Sequence, residues 1–490
     1  MAKKRLKAQA AGYGRPRAAG DRERNQGRSP YGAGDRERRV RVLAPVPRAR
    51  DAGPQARAGQ RKQAGRPPQG YERALKPGRQ GGRPAGAAAL GPAEGRPARG
   101  AASSERPREQ GPAVKKKRNR HFYDYSLLFC IIFLTAFGLV MIYSASVYAA
   151  QLAYDGNGAY FMMRQAKIAA AGFVMMVVIS KLDYHLLYRL AVPGYVLSYV
   201  LMIAVSLVGR EVNGKRRWLG IGPASFQPTE FVKIALIIML AAVIVELGKR
   251  VNRWKSMGAI LGLALPIAGI VAMNNLSSGI IIVGLACVML FVACRVKWPF
   301  FLAGGLGLGL LAFAGPIGYG LNQIGLLQNY QYQRIVAWLH PEADPTGNGF
   351  QVLQGLYAIG SGGLTGQGLG ESIQKLGFLP EAQNDMIFSI ICEELGLFGA
   401  VSIILIFLFM IYRFMLIAWN APDLFGAMLV VGVMGHIAIQ VILNIAVVSN
   451  TIPNTGITLP FISYGGTSVL FLMIEMGIVL SVSNQIRLET

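Results

Sequence analysis

Asp385 stands where a polar stretch, LPEAQND (379–385), gives way to an apolar run, MIFSIICEELG (386–396), that carries Glu393 and Glu394. Carboxylates at the mouth or inside of a membrane span are costly to keep, which makes them functional candidates by default. Glu381 lies four residues before Asp385 and shares a face with it once a helix has begun. Two nearby carboxylates push one pKa upward, as acid–base chemistry requires. They also suit a hard divalent cation, Mg2+ or Mn2+, with Asp385 as its ligand. Asp385 equally fits a helix cap, its carboxylate on free N–H groups. Spacing alone leaves the three readings open.

A second cluster is cationic. In GREVNGKRRWLGIGPASFQP (209–228), Arg210, Lys215, Arg216 and Arg217 precede Trp218. Such a group binds an anion such as a lipid-linked diphosphate, or anchors Trp218 at an interface with the cations on lipid phosphates. Glu230 and Lys233 follow, three apart in QPTEFVK (227–233), and read as an ion pair at a span's start. Glu475 is a lone acid in the last apolar run and should face the bundle interior. Tyr330, Tyr332, Arg334, Trp338, Gln351 and Gln354 supply aromatic, cationic and amide groups of the kind that bind sugars. The four Cys lie in apolar runs and the four His are scattered. With no HExxH spacing and no GxSxG elbow, a zinc enzyme and a serine hydrolase are disfavoured.

The elements that must position these groups are membrane helices. A bilayer core takes about 20 apolar residues per helix, and ten runs qualify: 126–148, 168–180, 190–208, 229–247, 256–272, 278–294, 299–318, 386–412, 424–447 and 468–483. The predicted fold is an all-α polytopic membrane protein. With both termini cytoplasmic, the inner loops carry 10 Lys/Arg in 39 residues and the outer loops 8 in 131, as the positive-inside rule asks. The large loop between the seventh and eighth spans (318–385) is then extracytoplasmic, with Asp385 facing outward. The Gly-rich GSGGLTGQGLG (360–370) lacks the strand–helix context of a nucleotide loop and reads as flexible or re-entrant backbone near a cavity.

Residues 1–120 form a separate region. They hold 32 Lys/Arg against 9 Asp/Glu, most of the chain's +26, and almost no aliphatic clusters. Such a segment cannot bury enough apolar surface to fold and is expected to be a disordered basic cytoplasmic tail. Its expected partners are anionic lipids or proteins rather than nucleic acid. It has no apolar h-region, so no secretory signal is expected. The membrane domain is 121–490.

Four blocks in order, NGKRRWLGIGPASFQPTEFVK (213–233), YQYQRIVAWLHPEADPTGNGFQVLQGLYAIGSGGLTGQGLG (330–370), LPEAQNDMIFSIICEELG (379–396) and NTGITLPFISYGGTS (454–468), resemble the SEDS proteins of shape, elongation, division and sporulation (FtsW, RodA, SpoVE). KLGFLPEAQND (375–385) leans toward the FtsW type. The resemblance implies a peptidoglycan glycosyltransferase of the bacterial cytoplasmic membrane, at the division septum, that polymerises lipid II and releases undecaprenyl diphosphate. Its implied partners are a class B penicillin-binding protein (a transpeptidase) and other divisome proteins. Asp385 is its implied essential acid, Lys215, Arg216 and Arg217 its basic block, and Gln227, Pro228, Glu230 and Lys233 its QPxE block. Tyr464, Gly465, Gly466 and Ser468 match its YGGxS block. The candidate substrate-binding set is Lys215, Arg216, Arg217, Glu230, Lys233, Arg334, Gln351, Glu381, Tyr464 and Ser468. NNLSSG (274–279) departs from the family by lacking an acid, and NDM (384–386) stands where TDF is commoner. Two other classes compete: a lipid II flippase with Glu230, Lys233, Glu393, Glu394 and Glu475 along a polar path, and a non-catalytic division scaffold.

Overall fold

The computed structural model describes residues 120–488 except 122, 213–214, 222–223, 326, 328 and 348. The predicted tail (1–120) lies, but for its last residue, outside the described residues. Among the described residues nine helices are long and apolar enough to cross a membrane: α1 (Tyr125–Ala153), α2 (Tyr160–Lys181), α3 (His185–Val208), α4 (Pro228–Leu247), α5 (Trp254–Asn274), α6 (Leu276–Ala293), α11 (Ile387–Trp419), α12 (Leu424–Val448) and α13 (Thr467–Gln485). The seventh predicted span is a pair, α7 (Trp298–Ala312) and α8 (Ala314–Gln323), bent by 74°. The chain is therefore a multi-pass helical membrane protein with nine or ten spans.

α4, α12 and α13 are the most enclosed helices. α13 lies along α2, α12 packs on α4, α6 and α11, and α3 on α4. No residue of α7 is fully buried, and apart from Phe300, which packs on the core, its apolar surface is largely exposed. Gly432 sets the approach of α12 to α4, because a Cβ there would lie 2.4 Å from the Ile237 side chain.

Several expected boundaries move. α2 starts at 160 rather than 168, because Arg164 and Lys167 interrupt the apolar run without ending the helix. α11 passes its expected end at 412, since Arg413 pairs with Asp124, Nη2 to Oδ2 2.8 Å, and stays helical. Between α3 and α4 the chain forms a small sheet of β2 (Arg210–Val212), β3 (Lys215–Ile221) and β4 (Ala224–Phe226) in antiparallel order. The predicted long loop holds α9 (Asn329–Leu339) and α10 (Phe350–Ser361).

The Gly-rich segment lies against a break in α11. At Gly396 (φ 66°) the helix stops and resumes. Gln367 and Gly368 N–H groups donate to the carbonyls of Glu393 and Glu394 at 2.9 and 3.0 Å, and Leu397 N–H returns to Gly363 O at 3.0 Å. The segment thus satisfies the backbone groups that the break frees. A Cβ on Gly366 would meet Glu394 O at 2.2 Å, so the contact demands glycine.

Candidate functional site

A cavity of about 940 Å3 opens at the end of the bundle where α2, α4, α6 and α13 begin and α12 ends. Its wall includes Asp385, Glu381, Arg217, Trp218, Glu230, Lys233, Tyr464 and Ser468. Asp385 precedes α11 in a series of turns. The helix N-cap is Met386, with no side-chain cap bond, so the capping reading does not hold. Nor do Glu381 and Asp385 share a helical face, since the helix begins only at Ile387. Glu381 sits at φ 55° and its carboxylate accepts from the Asn384 amide.

The Asp385 carboxyl is buried, at 8% exposure. Burial is the largest influence and raises it to about 7; its own backbone N–H opposes, the Glu381 charge adds to the rise, and Arg334 lowers it. A group poised there accepts a proton at neutral pH. The loop is held from outside by Tyr464 N–H on Gln383 O (2.9 Å) and by the Asn444 amide on Asp385 O (2.8 Å).

Strand alternation sorts the basic block. Arg217 reaches the cavity and its Nε donates to Asn274 O at 3.0 Å. Arg216 points the other way, donating to Ser206 O and Leu207 O at the end of α3. The expectation that both line the anion site is corrected accordingly. Of Lys215 only the backbone, at the start of β3, is described. Pro228 opens α4 at a position where its missing N–H is harmless. One turn on, Lys233 Nζ meets Glu230 Oε2 at 2.9 Å, both side chains under 10% exposed.

Two cations in the wall went unrecognised in the sequence: Arg164 and Lys167, on successive turns of α2. Arg164 hydrogen-bonds Tyr464, whose hydroxyl is raised chiefly by burial and lowered by that cation. Their interruption of an apolar run was the available signal. Gln440, whose Nε2 donates to Thr458 O at 2.9 Å, was also missed.

Other candidates sit behind the wall. Arg334 Nη1 donates to Asn454 O (3.2 Å), Trp338 Nε1 to Asn450 O (2.9 Å), and Gln351 Oε1 accepts from Asn454 (2.8 Å). They fasten α9 and α10 to the 450–454 loop instead of lining the cavity. Of Tyr330 only the backbone is described. Glu475 is not alone: His436 Nδ1 lies 2.8 Å from its Oε2, both 1% exposed. Glu393 accepts from Ser372 Oγ and from Ile373 N–H (3.0 Å). Glu394 takes Lys375 (2.8 Å) and Ser144 (2.5 Å). Of the five charges proposed for a flippase path, only Glu230 and Lys233 reach the cavity.

No group of three or more His, Cys, Asp or Glu side chains gathers among the described residues. The wall does offer Asp385, Glu381 and the buried, unpartnered Asn384 Oδ1 in one place. That set suits a Mg2+-like ion, which takes one or two carboxylates and completes its shell with water and phosphate.

A bundle of nine or ten spans with a charged cavity at one end defines a polytopic membrane protein with a polar, end-on site. The model of the cell cycle protein family FtsW/RodA/SpoVE matches residues 125–488, and the chain belongs to that family. Stage V sporulation protein E of Bacillus subtilis is 39% identical over 370 residues, covering 74% of this chain and 98% of that protein. A probable peptidoglycan glycosyltransferase FtsW of Trichlorobacter lovleyi is 39% identical over 374 residues, covering 75% and 94%. Among solved structures, one on coordination of polymerization and crosslinking by a peptidoglycan synthase complex matches with TM-score 0.60 and 29% identity over 74% of this chain and 98% of that one. The Thermus thermophilus rod shape determining protein RodA matches with TM-score 0.54 and 26% identity over 74% and 97%.

Proposed function

We infer that this chain is a peptidoglycan glycosyltransferase that polymerises lipid II at the outer face of the cytoplasmic membrane. Relatives at 39% and 37% identity bear that enzyme's name. The observation that carries the site is Asp385: a buried carboxyl poised near neutrality in the wall of a cavity that also holds Arg217, Lys233, Arg164 and Lys167. The 4-hydroxyl oxygen of the acceptor sugar forms a bond to the donor's anomeric carbon. The bond from that carbon to the diphosphate oxygen breaks, and undecaprenyl diphosphate leaves with the electron pair. Asp385 takes the hydroxyl proton as general base. The four cations stabilise the departing diphosphate through charge-assisted hydrogen bonds. Glu230 pairs with Lys233 within the apolar bundle, which lowers the cost of placing both groups there.

A divalent cation held by Asp385, Glu381 and Asn384 Oδ1 would supply Lewis-acid stabilisation of the phosphate charge. The outward direction of the cavity rests on the loop charge asymmetry, with both termini cytoplasmic. Crosslinking belongs to a partner, a class B penicillin-binding protein, as a relative's synthase complex suggests. Septal division duty follows the FtsW relatives. The basic tail's partners are anionic lipids or proteins.

The test is polymerisation of lipid II by purified protein with its partner, comparing wild type with Asp385→Asn. Loss of about 10²–10⁴-fold is expected. Near-normal glycan synthesis by the folded variant would remove the assignment.

A further inference from the structure

Asn444 lies on α12 with no exposed surface. Its Nδ2 donates to two carbonyls on two separate loops, Asp385 O at 2.8 Å and Ile457 O at 2.7 Å. An amide nitrogen has two hydrogens, so both bonds form at once. Chemistry dictates the amide's orientation: turned over, its oxygen would face two carbonyl oxygens. The Oδ1 atom on the other side has no partner among the described residues. A side chain kept only to fill this space would be apolar, since a buried unpaired oxygen is costly.

The neighbourhood narrows what the amide does. One turn earlier, Gln440 holds Thr458 from the same helix face but makes no bond to the Asp385 loop. Asn444 alone, among the described hydrogen bonds, joins α12 to both loops. Between them Gly456, at φ 68°, faces the carboxylate: a Cβ there would lie 3.7 Å from Asp385 Oδ2. The two loops and the amide thus form one bracket around the acid.

We propose that Asn444 is a positioning residue for Asp385, its single amide clamping the 385 and 457 carbonyls so that the carboxyl is held in the cavity wall beside Gly456. The proposal rests on the reading of Asp385 as the base. It acts on the chemical step, where a displacement of about 1 Å costs on the order of 100-fold. Lipid binding, through cations on other elements, stays unchanged.

The experiment uses full-length protein polymerising lipid II in detergent with a class B penicillin-binding protein, as wild type, Asn444→Leu, Asn444→Ser and Asp385→Asn. Thermal unfolding reports folding; kcat and KM are measured separately. Asn444→Leu keeps the shape and loses both donors, and Asn444→Ser keeps one hydroxyl donor. The expected result is folded variants with KM within about twofold of wild type, and kcat lowered about 10- to 100-fold in Asn444→Leu and less in Asn444→Ser. Wild-type kcat in either folded variant overturns the proposal, as does a loss confined to KM. Failure of both variants to fold would assign Asn444 to bundle stability and overturn it too. An active Asp385→Asn protein sinks the base assignment instead, whatever the Asn444 variants do.

Discussion

Lys375, in the loop before α11, reaches Glu394 inside that helix, Nζ to Oε1 at 2.8 Å, with side chains 5% and 0% exposed. Ser144 of α1 bonds both partners, at 3.0 and 2.5 Å. This buried junction ties α1, α11 and the loop leading to Asp385 together. Removing one partner strands the other charge. Lys375→Met is expected to destabilise the protein by about 3–5 kcal/mol, read as a lowered unfolding midpoint in detergent. The paired change Lys375→Met with Glu394→Leu should recover most of the loss. A single Met variant as stable as wild type would show that the junction bears little of the fold.

Arg216 and Arg217 are adjacent yet face opposite ways. Arg217→Gln should raise KM for lipid II about 10- to 100-fold, the order of one lost charge-assisted bond of about 1.5–3 kcal/mol. Arg216→Gln should leave KM within about twofold, because its bonds go to carbonyls at the end of α3. Equal effects in steady-state kinetics would contradict the alternation.

The pH profile should carry Asp385's mark. The base works when ionised, and burial lifts its carboxyl to about 7, so kcat/KM should fall as pH drops through about 7 rather than near 4. The same shift has a stability consequence of opposite sense to a salt-bridged acid. The folded pKa lies above the unfolded one, so the folded state binds the proton more tightly. This contribution is therefore full below the unfolded pKa near 4, and is lost as pH rises through 7. Excess chelator should lower the rate, and added Mg2+ should move the acid limb to lower pH, because a bound cation favours the carboxylate. A limb near pH 4 in chelator would refute the desolvated carboxyl.

Gly396→Ala should be severe. The residue holds φ 66°, and a Cβ would lie 2.3 Å from Gly366 N and 2.5 Å from Leu364 O. Backbone strain of about 1–3 kcal/mol adds to the displacement of the paired Gly-rich segment. Expression and melting of the variant check this, with Gly363→Ala as comparison, since a Cβ there meets nothing within 4 Å although its φ is 55°.

Hydropathy exposed the helical architecture because lipid-facing surface must be apolar. The same rule misplaced two boundaries, at Arg164 and Arg413, where a charge inside the helix faces a cavity or a partner 289 residues away. Asp385 was visible as a carboxylate at a span's entry. Its burial was not, since segments distant in the chain, α12 at Asn444 and the loop at Gly456, are brought against it. The pairing of His436 with Glu475 and the bracket at Asn444 join helices and loops distant in the chain. Local periodicity carries no trace of such contacts. The basic block read as one unit because four cations in sequence look alike until strand pairing decides which way each points.

β1 (Arg120–His121) pairs antiparallel with β5 (Arg487–Leu488). The first and last described segments therefore meet, and the path through the bundle is nearly a closed ring. A short linker bridging 488 to 120 should allow the polypeptide to be reopened at an exposed turn, such as 420–422, with the helices keeping their places. Such a permuted molecule would offer attachment points for a tag or reporter that the natural order does not.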